Sequence, residues 1–172
     1  YTTLGIFFMF QNAREQRDSY YSALLPIRKR DTVKAAVVFC VGLELFSLII
    51  AAPFAVLSAR INPNGENLAG TDANMALFGL GFLLYGLFNL VFFPSYYRTG
   101  YKVGMAFLKG STAVFLVVAC DVVLPHVPGF QFLDGNNAAA QLPILAIGAA
   151  VFAAFSLLAY RHSANLYEKV DL

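Results

Sequence analysis

The chain has 172 residues, of which 59% are apolar and 13% are charged, and its formal net charge is +2. Charged residues make up about 25% of an average soluble domain, so this chain has too few of them to cover a water-exposed surface. Together with a mean hydropathy of +0.64, the composition predicts an integral membrane protein rather than a soluble enzyme. So small a net charge gives no indication of a nucleic-acid partner.

Residues that commonly bind metals or nucleotides are few and isolated. Cys40 and Cys120 lie inside apolar runs without CxxC spacing, and we interpret them as small core residues. His126 and His162 stand alone, so no metal site is predicted. No GxxxxGK[ST] motif occurs, so this chain is expected neither to bind ATP as a cofactor nor to hydrolyse it.

Residues 1–10 have neither a basic stretch nor a small-residue cleavage site, and we interpret them as the end of a membrane helix whose beginning is missing. Four later apolar runs are long enough to cross roughly 30 Å of hydrocarbon, namely residues 33–57, 75–93, 104–124 and 142–160. Lipid offers no partner for backbone polar groups, so each run is predicted to be helical. The expected fold class is an all-α polytopic membrane helix bundle, a single transmembrane domain with four full transmembrane helices plus part of an earlier one.

Lysine and arginine alternate between the connections. They are frequent in residues 11–34, in residues 94–103 and in the C-terminal tail, whereas residues 58–74 contain only one and residues 125–141 contain none. Basic connections remain in the cytoplasm, so this pattern predicts a multi-pass protein of the cell membrane with a cytoplasmic C-terminus. Aromatic residues are expected at the same interface: Tyr96, Tyr97, Tyr101, Tyr160 and Tyr167.

The two outer connections differ in composition. The sequence NPNG at residues 62–65 predicts a turn in the first. In the second, Phe130 and Phe132 lie between prolines and glycines. That connection either dips back into the outer interface or remains an exposed loop.

The most unusual connection is REQRDSYYSALLPIRKRDTVKAA, residues 14–36, which is long for a mere link. Its first half mixes charged residues with Tyr20, Tyr21, Leu24 and Leu25. That mixture predicts a short amphipathic helix at the membrane interface.

Pro26 is expected to end this short helix, since proline lacks an N–H group and disfavours helical geometry in the residue before it. A basic run of Arg28, Lys29 and Arg30 follows. Asp31 or Thr32 is then expected to cap the next helix. On the residues alone, the segment is either a basic anchor that sets the topology or a docking element.

Three stretches resemble the small six-helix permease subunits of bacterial ABC exporters of the bacteriocin-immunity and peptide-export type. They are YYSALLPIRKRDTVKA, FPSYYRTGYKVGMAF and SANLYEKVDL. The resemblance implies six spans with both termini inside, and hence that one and a half spans are missing here. It also implies export of an amphipathic peptide or drug-like substrate by a pair of identical or related permeases.

The same resemblance implies a separate ABC ATPase subunit that binds and hydrolyses ATP. In such permeases the loop between the second and third spans transmits movement of the ATPase to the membrane helices. We call the equivalent region here, residues 11–33, the coupling segment. Its expected contact residues are Tyr20, Tyr21, Leu24, Leu25, Pro26, Arg28, Lys29, Arg30 and Asp31.

Glu44 lies about eleven residues into the first full span, where a carboxylate costs a few kcal/mol unless it is paired or protonated. It either lines a translocation path or subunit interface, or it bonds to a neighbouring helix, with Asn89 and Tyr85 as candidate partners. Lys109 is close enough to a helix end to snorkel, and Asp121 is expected at the wet outer end. Three glycines are expected to allow close helix packing: Gly79, Gly81 and Gly86.

The alternative function is a small membrane enzyme, or a structural bundle without ATPase coupling. An enzyme requires polar residues that converge at one membrane depth. Glu44, Lys109 and Asp121 are predicted at three different depths, which disfavours catalysis.

Overall fold

A computed structural model describes residues 1–61, 73–100, 102–133 and 138–170, so the predicted turn at residues 62–65 and the predicted interfacial Tyr101 lie outside the described part. The described residues form six α-helices and two 3-10 turns, with no strand. The helices are α1 (Thr2–Glu15), α2 (Asp18–Leu24), α3 (Lys29–Ile61), α4 (Met75–Tyr97), α5 (Val103–Val123) and α6 (Ala138–Tyr167). Four of them, α3 to α6, are long and apolar enough to cross a membrane, which confirms the predicted all-α membrane bundle.

Three helices are longer than the apolar runs that predicted them, and α4 continues to Tyr97 instead of ending at Phe93. α3 begins at Lys29 instead of Val33, and α6 continues to Tyr167 instead of ending at Tyr160. The predicted capping role of Asp31 or Thr32 is wrong, because both backbone N–H groups donate to the carbonyl of Arg28. Asp31 instead occupies the first turn, where its negative charge complements the helix dipole. A helix of 33 residues is about 50 Å long, so part of α3 extends beyond the hydrocarbon.

The main apolar core lies at the end of the bundle that carries α2, which we call the α2 end. Phe10 of α1 contacts the aromatic rings of α4, and Tyr97 of α4 contacts Tyr167 of α6. Tyr96, Tyr97 and Tyr167 therefore lie together at the α2 end, where they are buried between helices. Every long helix contributes to this core, together with α1.

α4 and α6 pack backbone to backbone. A β-carbon added to Gly148 would overlap the carbonyl oxygen of Gly79, and one added to Gly79 would lie 2.7 Å from the carbonyl oxygen of Ile144. Gly86 is nearly as close to Phe152, at 3.0 Å. The predicted packing role of Gly79 and Gly86 is confirmed, whereas Gly81 meets only the Leu48 side chain at 3.4 Å.

An apolar cavity of about 650 Å³ lies between α3, α4 and α5, away from the α2 end. We call it the outer groove after the side of the membrane that the basic-residue pattern predicts for it. Leu48 and Phe54 of α3 line one side, and Leu84 of α4 lines another. Asp121, which was expected to be wet, also lines this apolar groove. Cys40 is buried as expected, but Cys120 is exposed on α5.

The second outer connection is folded onto the helix ends as far as it is described. Its two 3-10 turns cover Leu124–His126 and Gln131–Leu133. Asn74 donates to the carbonyl of Leu133 at 2.7 Å, and the buried Gln141 donates to that of Phe132 at 3.0 Å. These side-chain bonds hold residues 131–133 against the starts of α4 and α6.

Candidate coupling site and buried polar cluster

The coupling segment is mostly helical and bends sharply at two places. Arg17 separates α1 from α2 in the left-handed region, with φ +59°, a conformation that is costly for a side chain other than glycine. α2 ends at Leu24, and Leu25 is extended with ψ 150°, as expected before Pro26. The predicted short helix and its termination by proline are both confirmed.

Apolar side chains of α2 and its C-terminal connection project away from the bundle. Leu24 is 69% exposed and Leu25 is 57% exposed, and Tyr20, Tyr21 and Ile27 are also exposed. So dense an apolar surface beside charged residues is characteristic of a contact with a partner or with the lipid interface.

The basic run that follows Pro26 is divided between two environments. Lys29 donates to the carbonyl of Val170 at 2.6 Å, and its ammonium lies 5.9 Å from the centre of the Tyr167 ring. Arg30 makes a bidentate contact with Glu168, with N–O distances of 2.5 and 2.9 Å. The side chain of Arg28 is exposed and makes no contact of this kind with a described residue. We call the contacts of Lys29 and Arg30 with residues 165–170 the C-terminal clamp.

The C-terminal clamp changes the pKa of one of its residues, Glu168. The hydrogen bond from Arg30 lowers the pKa of Glu168, and the positive charges of Arg30 and Lys29 add to that effect. A carboxylate with a lowered pKa in the folded state stabilises at neutral pH, and this stabilisation is lost as the pH falls through the folded-state pKa. The clamp is therefore expected to weaken in acid, below the ordinary glutamate pKa of about 4.3.

A buried polar cluster joins three helices inside the bundle. Asn89 of α4 donates to Glu44 Oε2 of α3 at 2.8 Å and to Ser156 Oγ of α6 at 3.2 Å. Glu44 and Asn89 are completely buried, and Glu44 Oε1 and Asn89 Oδ1 have no hydrogen-bond partner among the described residues. One turn further along α3, Ser47 Oγ lies 3.0 Å from the Tyr85 hydroxyl.

This geometry distinguishes the two candidate partners of Glu44. Asn89 is its partner, and Tyr85 bonds to Ser47 instead. Because Glu44 is enclosed by helices of its own chain, the contact holds α3 to α4 and α6. A role for Glu44 in a translocation path or at a subunit interface stays a prediction.

The model of the family described as ABC-2 family transporter protein matches residues 2–168. The chain belongs to the ABC-2 transporter family. The match covers α1 to α6 and so includes the coupling segment, the buried polar cluster and the Arg30–Glu168 pair of the clamp. No curated protein and no solved structure matches the chain.

The C-terminal clamp of this ABC-2 family chain was missed by the sequence analysis. Glu168 and Asn165 lie in the stretch SANLYEKVDL, which the sequence analysis used only as part of the resemblance to ABC exporter permeases. The available signal was charge: an acidic residue follows the last span, and a basic run precedes the first full span. Ion pairs between positions 138 residues apart cannot be assigned from such a signal without knowing which helix ends are adjacent.

Charge reversal at the clamp is expected to release residues 165–170. Arg30→Glu places two carboxylates together, so amide hydrogen exchange of these residues should accelerate. Glu168→Arg should do the same, and the double variant Arg30→Glu/Glu168→Arg should restore protection. Lys34→Glu is the control, because Lys34 is exposed and outside the clamp. Equal acceleration by Lys34→Glu would contradict the assignment.

Substitutions of Glu44 are expected to separate its packing from its charge. Glu44→Gln keeps an acceptor for Asn89 and replaces the unpaired carboxylate oxygen with a neutral amide donor, so thermal stability in detergent should change little. Glu44→Leu leaves the Asn89 amide without this partner and should cost about 1–3 kcal/mol. If Glu44→Gln is stable but alters transport, the charge itself is functional; if both variants match wild type in stability and transport, Glu44 is incidental.

Proposed function

We propose that the chain is the membrane-spanning permease subunit of an ATP-driven ABC exporter, and that the coupling segment binds a separate ATPase subunit. Membership of the ABC-2 transporter family supports a permease. The observation that carries the ATPase proposal is the exposed apolar surface of α2 and Leu25. Apolar residues surrounded by charged ones are the usual composition of a specific protein contact.

The arrangement of helices supplies a route for movement of α2 to reach the membrane. Only four residues, 25–28, separate α2 from α3, so displacement of α2 acts directly on the beginning of α3. The C-terminal clamp connects that same beginning to the end of α6. Deeper in the bundle, the Glu44–Asn89 bond connects α3 to α4. In this proposal, displacement of α2 therefore acts on three membrane-spanning helices, α3, α4 and α6.

The substrate class proposed is an amphipathic peptide or drug-like molecule, carried between this chain and a second, identical or related permease. The outer groove supports this class, because it is apolar except for one carboxylate, Asp121. In this proposal the coupling segment and the C-terminus lie in the cytoplasm. The alternation of basic connections supports that orientation, and it places α2 on the side where ATP is available.

Three polar side chains of the membrane helices lie apart from one another, which favours a permease over an enzyme. Glu44 bonds to Asn89 inside the bundle, Asp121 lines the outer groove, and Lys109 lines a different cavity at the α2 end. The outer groove and the cavity that Lys109 lines have no lining residue in common. General acid–base chemistry requires such groups within hydrogen-bond reach of one reacting atom.

The proposed function is tested by reconstitution. The chain should co-purify with an ABC ATPase, and the two together should move a fluorescent amphipathic peptide across inverted membrane vesicles only when ATP is present. An ATPase with its Walker A lysine replaced is the matched control and should bind without transport. Transport that continues with that control, or a chain that captures no ATPase under conditions where it is folded, would contradict the proposal.

A further inference from the structure

A second cavity lies at the α2 end of the bundle, between the end of α4, the beginning of α5 and the last turns of α6. Its volume is about 540 Å³, and we call it the basic cleft. Four of the side chains that line it are cationic or become so on protonation: Arg98, Lys102, Lys109 and His162. None of the described residues that line it is acidic.

The backbone around the basic cleft adds to its positive potential. α5 begins at Val103 without a side-chain cap, and Lys102, Met105 and Ala106 at this helix start line the cleft. The N-terminus of a helix carries a partial positive charge and uncapped N–H groups. Arg98, Lys109 and His162 are exposed, so an incoming anion reaches them without first displacing a buried contact.

The position of the basic cleft indicates where such an anion comes from. Lys109 lies about two turns into a membrane-spanning helix, and exposed Met105 and Leu108 flank it. A lysine at this depth extends toward the lipid headgroups. Basic pockets between transmembrane helices at this level suit phosphate groups whose acyl chains continue along the apolar helix surface.

We propose that the basic cleft binds the phosphate group of an anionic membrane lipid, in the leaflet on the side of α2. Arg98 supplies a planar donor for phosphate oxygens, and Lys109 reaches the same phosphate from deeper in the membrane, about two turns into α5. Met105 and Leu166 provide the apolar wall for the upper part of an acyl chain. This inference does not depend on the proposed ATPase coupling, since the cleft and α2 share no residue.

The test uses the full chain in neutral detergent, titrated with phosphatidylglycerol or phosphatidylcholine and followed by native mass spectrometry. Wild type should prefer phosphatidylglycerol. Each basic residue near a membrane surface contributes roughly fivefold to anionic-lipid binding, so Arg98→Gln/Lys109→Gln should reduce the preference by at least about tenfold. Lys34→Gln/Arg161→Gln removes the same charge from exposed positions outside the cleft and should leave the preference near wild type.

A second arm distinguishes a lipid from a soluble anion. Millimolar inorganic phosphate should displace phosphatidylglycerol weakly, because it lacks the acyl chains that contact Met105 and Leu166. If phosphate alone binds as tightly as the lipid, the source is a soluble phosphate compound and the lipid proposal is overturned. Circular dichroism of each variant establishes that any loss arises from binding and not from unfolding.

Two further outcomes would also overturn the proposal. If the cleft variant and the control variant lose lipid selectivity equally, the preference reflects only a general attraction of anionic lipid to a basic protein. Retention of selectivity by the cleft variant, with loss of ATPase co-purification, would identify the cleft as a protein contact instead.

Discussion

Replacing both Leu24 and Leu25 with aspartate is expected to separate the chain from its ATPase while leaving its insertion into the membrane intact. Both side chains are exposed in the isolated chain, so the substitutions cost its own fold little. In a complex they would bury two carboxylates in an apolar contact, and unpaired buried charges are very unfavourable. Loss of several kcal/mol at the centre of an interface should remove nearly all co-purified ATPase and all ATPase-dependent transport.

Matched variants separate position from charge. Leu24→Asp alone should weaken co-purification strongly, whereas Gln131→Asp, which adds a negative charge to an exposed position outside the coupling segment, should change it little. Arg28→Gln should also have a small effect, since charges at the rim of an interface contribute mainly to association rate. Lys29 and Arg30 are poor positions for such a test, because their substitution also breaks the C-terminal clamp.

The competing interpretation of α2 makes the opposite prediction. If α2 is only an anchor on the lipid surface, the doubly substituted chain should keep its ATPase with full activity. An environment-sensitive fluorophore on a cysteine at Ala23 would then report that α2 has moved from lipid into water. That pair of results would leave the permease function without its proposed route of coupling.

The sequence predicted those features that depend on local patterns. Apolar runs long enough to span lipid gave four helices, and Pro26 correctly placed the end of α2. Asn89 was one of two candidate partners that the sequence offered for Glu44, because a buried carboxylate requires a hydrogen-bond donor. Each of these inferences needs only the chemistry of one segment or of two neighbouring spans.

The features that the sequence did not predict depend on which helix ends meet. The apolar runs end where charge begins, but α3 starts earlier and α6 ends later as helices, and Arg30 at the start of α3 binds Glu168 just after α6. The burial of Tyr96 was likewise not predicted, since it depends on Phe10 of α1 packing against it. The basic cleft likewise requires the end of α6 to lie beside the connection between α4 and α5, from which it is distant in the chain.

The largest effect on stability is expected from filling the contact between α4 and α6. In Gly148→Leu, the first added carbon would already overlap the carbonyl oxygen of Gly79. Backbone atoms of two helices cannot move aside as a flexible side chain does, so the helices must separate along their length. Overfilling a packed interface costs about 1–3 kcal/mol, occasionally more, and contact between two backbones places this variant at the upper end.

Gly42→Leu is the matched control, because it adds the same side chain to a transmembrane helix at an exposed position with nothing within 4 Å of the new β-carbon. It should unfold at or slightly above the wild-type temperature in detergent, since leucine is a better helix former than glycine. The unfolding temperature of Gly148→Ala should lie between those of Gly148→Leu and Gly42→Leu.

Separation of α6 from α4 should also disturb the Asn89–Ser156 bond, which lies at the same interface, so Gly148→Leu should impair transport even where the protein remains inserted. Equal unfolding temperatures for Gly148→Leu and Gly42→Leu would show that α4 and α6 do not depend on this backbone contact, and the route from the C-terminal clamp to the buried polar cluster would lose its rigid element.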